Sequence, residues 1–152
     1  MINKKSVIFD LDGTLALIEE RRKISSLPSG KINWDVFFDP QNIKLDKPNV
    51  PVIATLQAMK EKGYVIVVFS GRSDRTKDAT IEWLKSHSIL PNVLKMRPEG
   101  DFTADDILKK QWVADLFPNK EDILCVFDDR DKVVKMWRNQ GISCFQVAEG
   151  NF

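Results

Sequence analysis

Residues Ser6 to Thr14 read Ser-Val-Ile-Phe-Asp-Leu-Asp-Gly-Thr, an apolar run that stops at two carboxylates and a glycine turn. Val7, Ile8 and Phe9 have the β-branched and aromatic character of a short strand buried on both faces, as in a parallel sheet. In open α/β sheets ligands bind outside the carboxyl ends of the strands, so acids placed directly after such a strand fall on the functional edge. Asp10 and Asp12 are two apart. Extended geometry would project both to the same side, above a turn that Gly13 permits. Two convergent carboxylates invite a divalent cation.

The rest of the chain alternates strand and helix. A helix is expected over Pro51 to Lys62, with Val52, Ile53, Leu56 and Met59 on one face and Gly63 at its stop. Tyr64 to Phe69 is a dense strand-type run ending in Ser70-Gly71-Arg72. A helix over about Thr76 to His87 and a strand at Val93 to Met96 follow. Thr103-Ala104-Asp105-Asp106 resembles a capping box, opening a helix with Leu108, Trp112 and Leu116 as its stripe. Ile123 to Phe127 is a further core strand, again ending in acids, Asp128-Asp129. A helix from about Lys132 to Gln140 and a strand over Ile142 to Val147 close the pattern. Strict alternation implies an α/β fold, a doubly wound parallel sheet.

Between Leu17 and Asn49 the alternation is interrupted by a stretch too long for a tight connection, read as a loop or flap insertion in one domain spanning residues 1–152. It carries Trp34, Phe37 and Phe38, with a short helix from about Asn33 to Phe38. These rings either anchor the flap to the core or touch substrate, and the sequence leaves both readings open. Neither this stretch nor the one from Thr76 to Phe117 is long enough for a full cap domain, so the site should be open to macromolecular ends.

A net charge of +1 offers no global field for polyanions, so affinity for phosphate must come from local basic residues. Arg21, Arg22, Lys23, Arg72, Arg75, Lys77, Arg97 and Arg130 fall in or near the loops of the functional edge. Cys125 and Cys144 are expected to be buried free thiols. His87, the one histidine, sits at a helix end without acids or cysteines beside it and is assigned no chemistry. The start Met1-Ile2-Asn3-Lys4-Lys5 is basic, but the apolar run behind it breaks at Asp10, too soon for a signal peptide or a membrane span. A soluble cytoplasmic protein is the expectation.

Three strands therefore end in chemically active turns: Asp10/Asp12, Ser70/Arg72 and Asp128/Asp129. These parts suit phosphoryl transfer, with Asp10 as nucleophile, Asp12 as proton donor, Mg²⁺ to offset charge, Ser70 to donate to a phosphate oxygen and a lysine to balance the rest. In this order, Phe9-Asp10-Leu11-Asp12-Gly13-Thr14-Leu15, Ser70-Gly71-Arg72, a lysine and Asp128-Asp129 resemble the four motifs of the haloacid-dehalogenase superfamily. The second acid favours phosphatase chemistry, because the dehalogenases lack it. Gly63 to Arg72, Arg97-Pro98-Glu99-Gly100-Asp101, Met136-Trp137-Arg138 and Gln146 to Phe152 resemble, more narrowly, the phosphatase domain of the bacteriophage polynucleotide kinase/phosphatase family.

That resemblance implies removal of 3′-phosphates from DNA or RNA ends, in nucleic-acid repair, through an aspartyl-phosphate. It places the motif lysine at Lys109, metal ligation at Asp10, Asp12, Asp128 and Asp129 (Asp129 directly, Asp128 through water), and phosphate contacts at Gly71, Arg72, Arg97 and Arg130. No Gly-x-x-x-x-Gly-Lys-Ser/Thr loop occurs, so a kinase half is not expected here; the chain would be a stand-alone phosphatase or an excised domain, working with a separate kinase or ligase. A nucleotidase acting on mononucleotides and a non-catalytic module holding phosphorylated ends are the competing readings.

Overall fold

The computed structural model describes residues 4–152; Met1, Ile2 and Asn3 of the basic start lie outside the described residues. The first strand, β1 (Ser6–Asp10), is buried along its whole length. A short antiparallel ribbon, β2 (Ala16–Leu17) with β3 (Lys47–Pro48), then encloses α1 (Glu19–Ser25), α2 (Trp34–Phe37) and a 3₁₀ turn over Pro40–Leu45. The interrupted stretch is thus a compact helical insertion on a two-stranded stalk. From there α3 (Val50–Glu61), β4 (Val65–Ser73), α4 (Lys77–Ser86), β5 (Val93–Arg97), α5 (Asp105–Leu116), β6 (Ile123–Asp128), α6 (Asp131–Asn139) and β7 (Cys144–Gln146) alternate.

The main sheet runs in the order β5-β4-β1-β6-β7, and its pairings are parallel. With β1 in the centre both of its faces are covered, which is why its apolar residues run without a break. Val7 and Phe9 pack with Val52, Leu56, Trp83 and Leu84 of α3 and α4. Ile8 faces the other way, toward Leu108 and Trp112 of α5 and Val133 and Trp137 of α6. The fold is a doubly wound α/β sheet, and the insertion on the β2–β3 ribbon is a short helical segment. Among the described residues no helix is long and apolar enough to cross a membrane. Cys125 and Cys144 are buried and free.

Three local expectations are corrected. The N-cap of α5 is Ala104, with no side-chain cap; Thr103 instead gives its amide and hydroxyl to Asp101 Oδ1, at 2.9 and 2.6 Å. The stripe of α5 is Leu108, Trp112 and Val113, while Leu116, the last residue of the helix, is 41% exposed. Strand β4 continues past Phe69 to Ser73, with a register shift between Ser70 and Ser73 against β5. The extension is carried by renewed pairing with β5, Ser73 standing in register with Arg97.

Candidate active site

At the carboxyl edge of the sheet, Lys109 of α5 reaches between two strands. Its Nζ donates to Asp10 Oδ1 at 2.7 Å and to Asp128 Oδ2 at 3.0 Å, with the residue only 2% exposed. Burial disfavours the ammonium, but Asp10 and Asp128 outweigh it and raise its pKa, so Lys109 stays charged. Asp10 Oδ2 accepts from Thr14 Oγ1 at 2.9 Å. Asp128 is oriented by the Asp129 amide at 2.9 Å and the Trp137 indole at 3.3 Å.

Asp10, Asp128 and Asp129 each offer a carboxylate oxygen, all within 4.8 Å of one another. Burial, followed by the charge of Asp128, raises the pKa of Asp10 well above the ordinary carboxylate value; the same two causes push Asp129 up to about 6. Three carboxylates facing one lysine hold uncompensated negative charge, and a hard divalent cation relieves it. Gly13 makes room for the third: its φ is +83°, and a Cβ there would lie 2.1 Å from Asp129 Oδ2. The donor set therefore fits Mg²⁺.

Asp12 does not join this cluster. Strand β1 ends at Asp10, and the chain turns through hydrogen bonds from the Thr14 and Ala16 amides to the Leu11 carbonyl, so the two-residue alternation no longer applies. The Asp12 carboxylate instead accepts from Arg72 Nε at 2.7 Å and Arg21 Nη2 at 2.9 Å. Burial alone would raise its pKa, yet Arg72 and Arg21 outweigh it and hold Asp12 below its ordinary value. Behind the pair lies Asp46, fully buried, which accepts from Arg21 Nε at 3.0 Å, Arg21 Nη2 at 2.9 Å and Arg72 Nη2 at 2.7 Å. Thr80 accepts from Arg72 Nη1, and Trp83 Nε1 donates to the Asp46 carbonyl.

These contacts change the expected parts for Arg21 and Arg72. Both are buried and committed to carboxylates, so neither is a free basic residue at the rim. Arg97 is similarly tied: it bonds the Gly71, Asp101 and Thr103 carbonyls and pairs with Asp105 Oδ1. Arg130 shares Asp105, at 3.0 Å, and donates Nε to the Phe152 carbonyl at 2.7 Å. Its side chain is one-third exposed, against 14% for Arg97 and none for Arg72, so of the three arginines expected at phosphate it is the most open to solvent. Gly71 has no side chain because Asp105 Oδ1 would lie 2.7 Å from a Cβ there. Ser70 is buried within β4, where the register against β5 shifts; its Oγ accepts from the Arg72 amide at 3.2 Å, leaving the hydroxyl proton to donate. Arg22, Lys23, Arg75 and Lys77 are exposed.

Comparison with known proteins matches the model of the polynucleotide kinase PNKP phosphatase domain to residues 4–152. The chain belongs to the PNKP phosphatase-domain family. It is a haloacid-dehalogenase-type phosphatase. A putative bifunctional polynucleotide kinase/RNA ligase of Autographa californica nuclear polyhedrosis virus is 31% identical over 138 residues, 89% of this chain and 18% of that protein. A chain of the Pnkp1/Rnl/Hen1 RNA repair complex superposes with a TM-score of 0.80 and 32% identity, covering 98% of this chain and 44% of that one. This chain thus spans less than half the length of either relative. A putative phosphatase from Clostridium difficile shares the fold at a TM-score of 0.69 and 16% identity, covering 96% and 86% of the two chains.

Sequence reasoning missed Asp46, Thr80 and Asp105. Asp105 had a signal, since it stands four residues before Lys109 and so shares its helix face. Asp46 had none, because it acts from an irregular segment far from any motif.

Proposed function

We propose that this PNKP-type phosphatase removes 3′-phosphates from DNA or RNA ends through an aspartyl-phosphate on Asp10, and that Mg²⁺ is held by Asp10, Asp128 and Asp129. The observation that carries this reading is Lys109 bridging Asp10 and Asp128 beside Asp129. Asp10 attacks phosphorus in line, forming a carboxylate oxygen–phosphorus bond as the bond to the 3′ oxygen breaks. Lys109 and the Ser70 hydroxyl carry the charge of the transferring phosphoryl oxygens. Bound Mg²⁺ supplies charge neutralisation between the anionic nucleophile and the phosphate. Asp12, held ionised by Arg72 and Arg21, is suited to take a proton from the water that opens the acyl phosphate; donation to the leaving 3′ oxygen needs it first protonated, which an arriving dianion favours. The relatives' names point to a kinase or a ligase as the activity it works beside.

Two results test the proposal. Each backbone phosphate contacted releases counterions, so kcat/KM on a 3′-phosphorylated oligonucleotide should fall with salt more steeply than on a 3′-mononucleotide. Replacing Arg22 and Lys23, both exposed, with Ala should flatten the oligonucleotide slope by up to about two while kcat on p-nitrophenyl phosphate holds. Arg21 is left out because it is buried against Asp12. Identical slopes, or preference for mononucleotides, would favour a nucleotidase.

Metal loading should follow pH. Asp129 keeps its proton to about 6 when folded but to 3.8 by the ordinary value. The folded, metal-free protein therefore binds the extra proton, and the stability from this group, full below the lower value, is lost as pH rises toward the upper one. Mg²⁺ competes with that proton, so its upward shift of Tm should be larger near pH 7.5 than near pH 5. Equal shifts by differential scanning fluorimetry would exclude this carboxylate set as the metal cage.

A further inference from the structure

We propose that Trp34 is a stacking shelf for a nucleobase of the polynucleotide whose 3′ end occupies the site. The inference rests on the polynucleotide reading above and adds a base-binding subsite to it.

The α2 helix is tied to the reacting edge by one residue. Phe37 is buried with its ring 4.4 Å over the Arg21 guanidinium, and its carbonyl accepts from Arg21 Nη1 at 3.3 Å. The same guanidinium holds Asp12. On the outer side, Asp35 Oδ1 lies 3.8 Å from Arg75 Nη1, in the turn that follows β4. The short helix therefore stands between the Asp12 side of the site and the loop after Ser70-Gly71-Arg72.

Its three rings have divided roles. Phe37 points inward, whereas Trp34 is 60% exposed. Trp34 meets Phe37 edge-on at 5.4 Å and 85°, and stacks with Phe38 at 5.7 Å and 19°. The Asn33 side chain caps the Asp35 and Val36 amides, so the backbone that carries the indole is set before any ligand arrives. Anchoring the insertion is accomplished by Phe37; an anchor has no need of a second large ring left in water. A preset, exposed indole is what a nucleobase requires, since every base has a π face and stacking needs no sequence-specific hydrogen bond. Arg75, on the neighbouring loop and 44% exposed by its side chain, is held among the described residues only by Asp35 at 3.8 Å, so a phosphate joined to the stacked nucleotide exchanges for that exposed carboxylate. A protein surface is the weaker candidate, because the exposed Arg75 on the adjoining loop, paired with Asp35 only at 3.8 Å, is suited to a polyanion's phosphate.

The test compares Trp34→Ala, Trp34→Phe and Trp34→Leu on a 3′-phosphorylated oligonucleotide and on p-nitrophenyl phosphate, with Tm recorded for each. Trp34→Ala is expected to raise KM for the oligonucleotide about tenfold, within the range measured for stacking platforms, and to leave kcat on p-nitrophenyl phosphate within about twofold. Trp34→Phe should restore most of the affinity and Trp34→Leu should not. In an oligonucleotide series carrying single abasic residues, one position near the 3′ end should reproduce the loss, and Trp34→Ala should be insensitive to it. Unchanged KM overturns the shelf. So does equal loss on both substrates, which marks a merely structural ring, or full rescue by Leu, which marks an apolar docking surface for protein. Wild-type protein that ignores oligonucleotides but hydrolyses mononucleotides overturns both the shelf and the reading it rests on; wild-type protein that prefers oligonucleotides, with Trp34→Ala unchanged, overturns the shelf alone.

Discussion

Asp10→Asn should lower turnover of any phosphomonoester by roughly 10⁴-fold or more, because an amide cannot attack phosphorus and the nucleophile's part cannot be taken by its neighbours. Stability should not follow activity. Burial and the charge of Asp128 raise the pKa of Asp10 well above its ordinary value, so its ionised form is disfavoured in the folded protein and the stability it contributes declines as pH rises past that ordinary value. A neutral amide removes this cost while its oxygen can still accept from Lys109. The metal-free variant should accordingly melt at or above the wild-type temperature near pH 7.5, and should gain less from Mg²⁺. Residual activity within tenfold of wild type would defeat the nucleophile assignment. A much lower Tm at equal pH would show that Asp10 is holding the edge together.

The second large effect is expected at a residue that touches no phosphate. Asp46→Ala leaves Arg21 and Arg72 buried with Asp12 as the one carboxylate they still share, beside the neutral Phe37 carbonyl and Thr80 hydroxyl. Removing one partner of a buried ionic network costs about 3–5 kcal/mol, which for a chain of this size lowers Tm by roughly 6–20 °C. Asp12 should shift with its arginines, so kcat on p-nitrophenyl phosphate should also fall, by about tenfold or more. Asp46→Asn retains an acceptor and should lose less of both. A Tm within about 2 °C of wild type, with unchanged kcat, would mean the two guanidiniums find other partners or water.

These two residues mark how far the site could be read in advance. Asp10 announces itself because it ends an unbroken apolar strand, and Ser70, Asp128 and Asp129 do so in the same manner; each is local, a change of residue character at a strand end. Lys109 was reached through a family motif, and the structure places it on Asp10 and Asp128. Asp46 sits in a segment legible as a long insertion with an aromatic patch and a short helix, none of which points to this residue. Its partners are 25 and 26 residues away in the chain, and nothing local records that separation.

The sequence by itself determined the alternation of strand and helix, the parallel sheet and the gathering of acids at one edge, because periodicity and strand-end polarity are written residue by residue. Only the tertiary structure decided which charges face solvent. Arg21, Arg22 and Lys23 are adjacent and chemically alike, yet Arg21 is wholly buried against Asp12 and Asp46 while its two neighbours are exposed. The direction of Asp12 was decided in the same way: the turn after Asp10 breaks the strand's alternation, and two guanidiniums from distant segments then hold the carboxylate apart from the trio of Asp10, Asp128 and Asp129. Paired burial of charge depends on partners brought together by packing, and packing is a property of the whole chain.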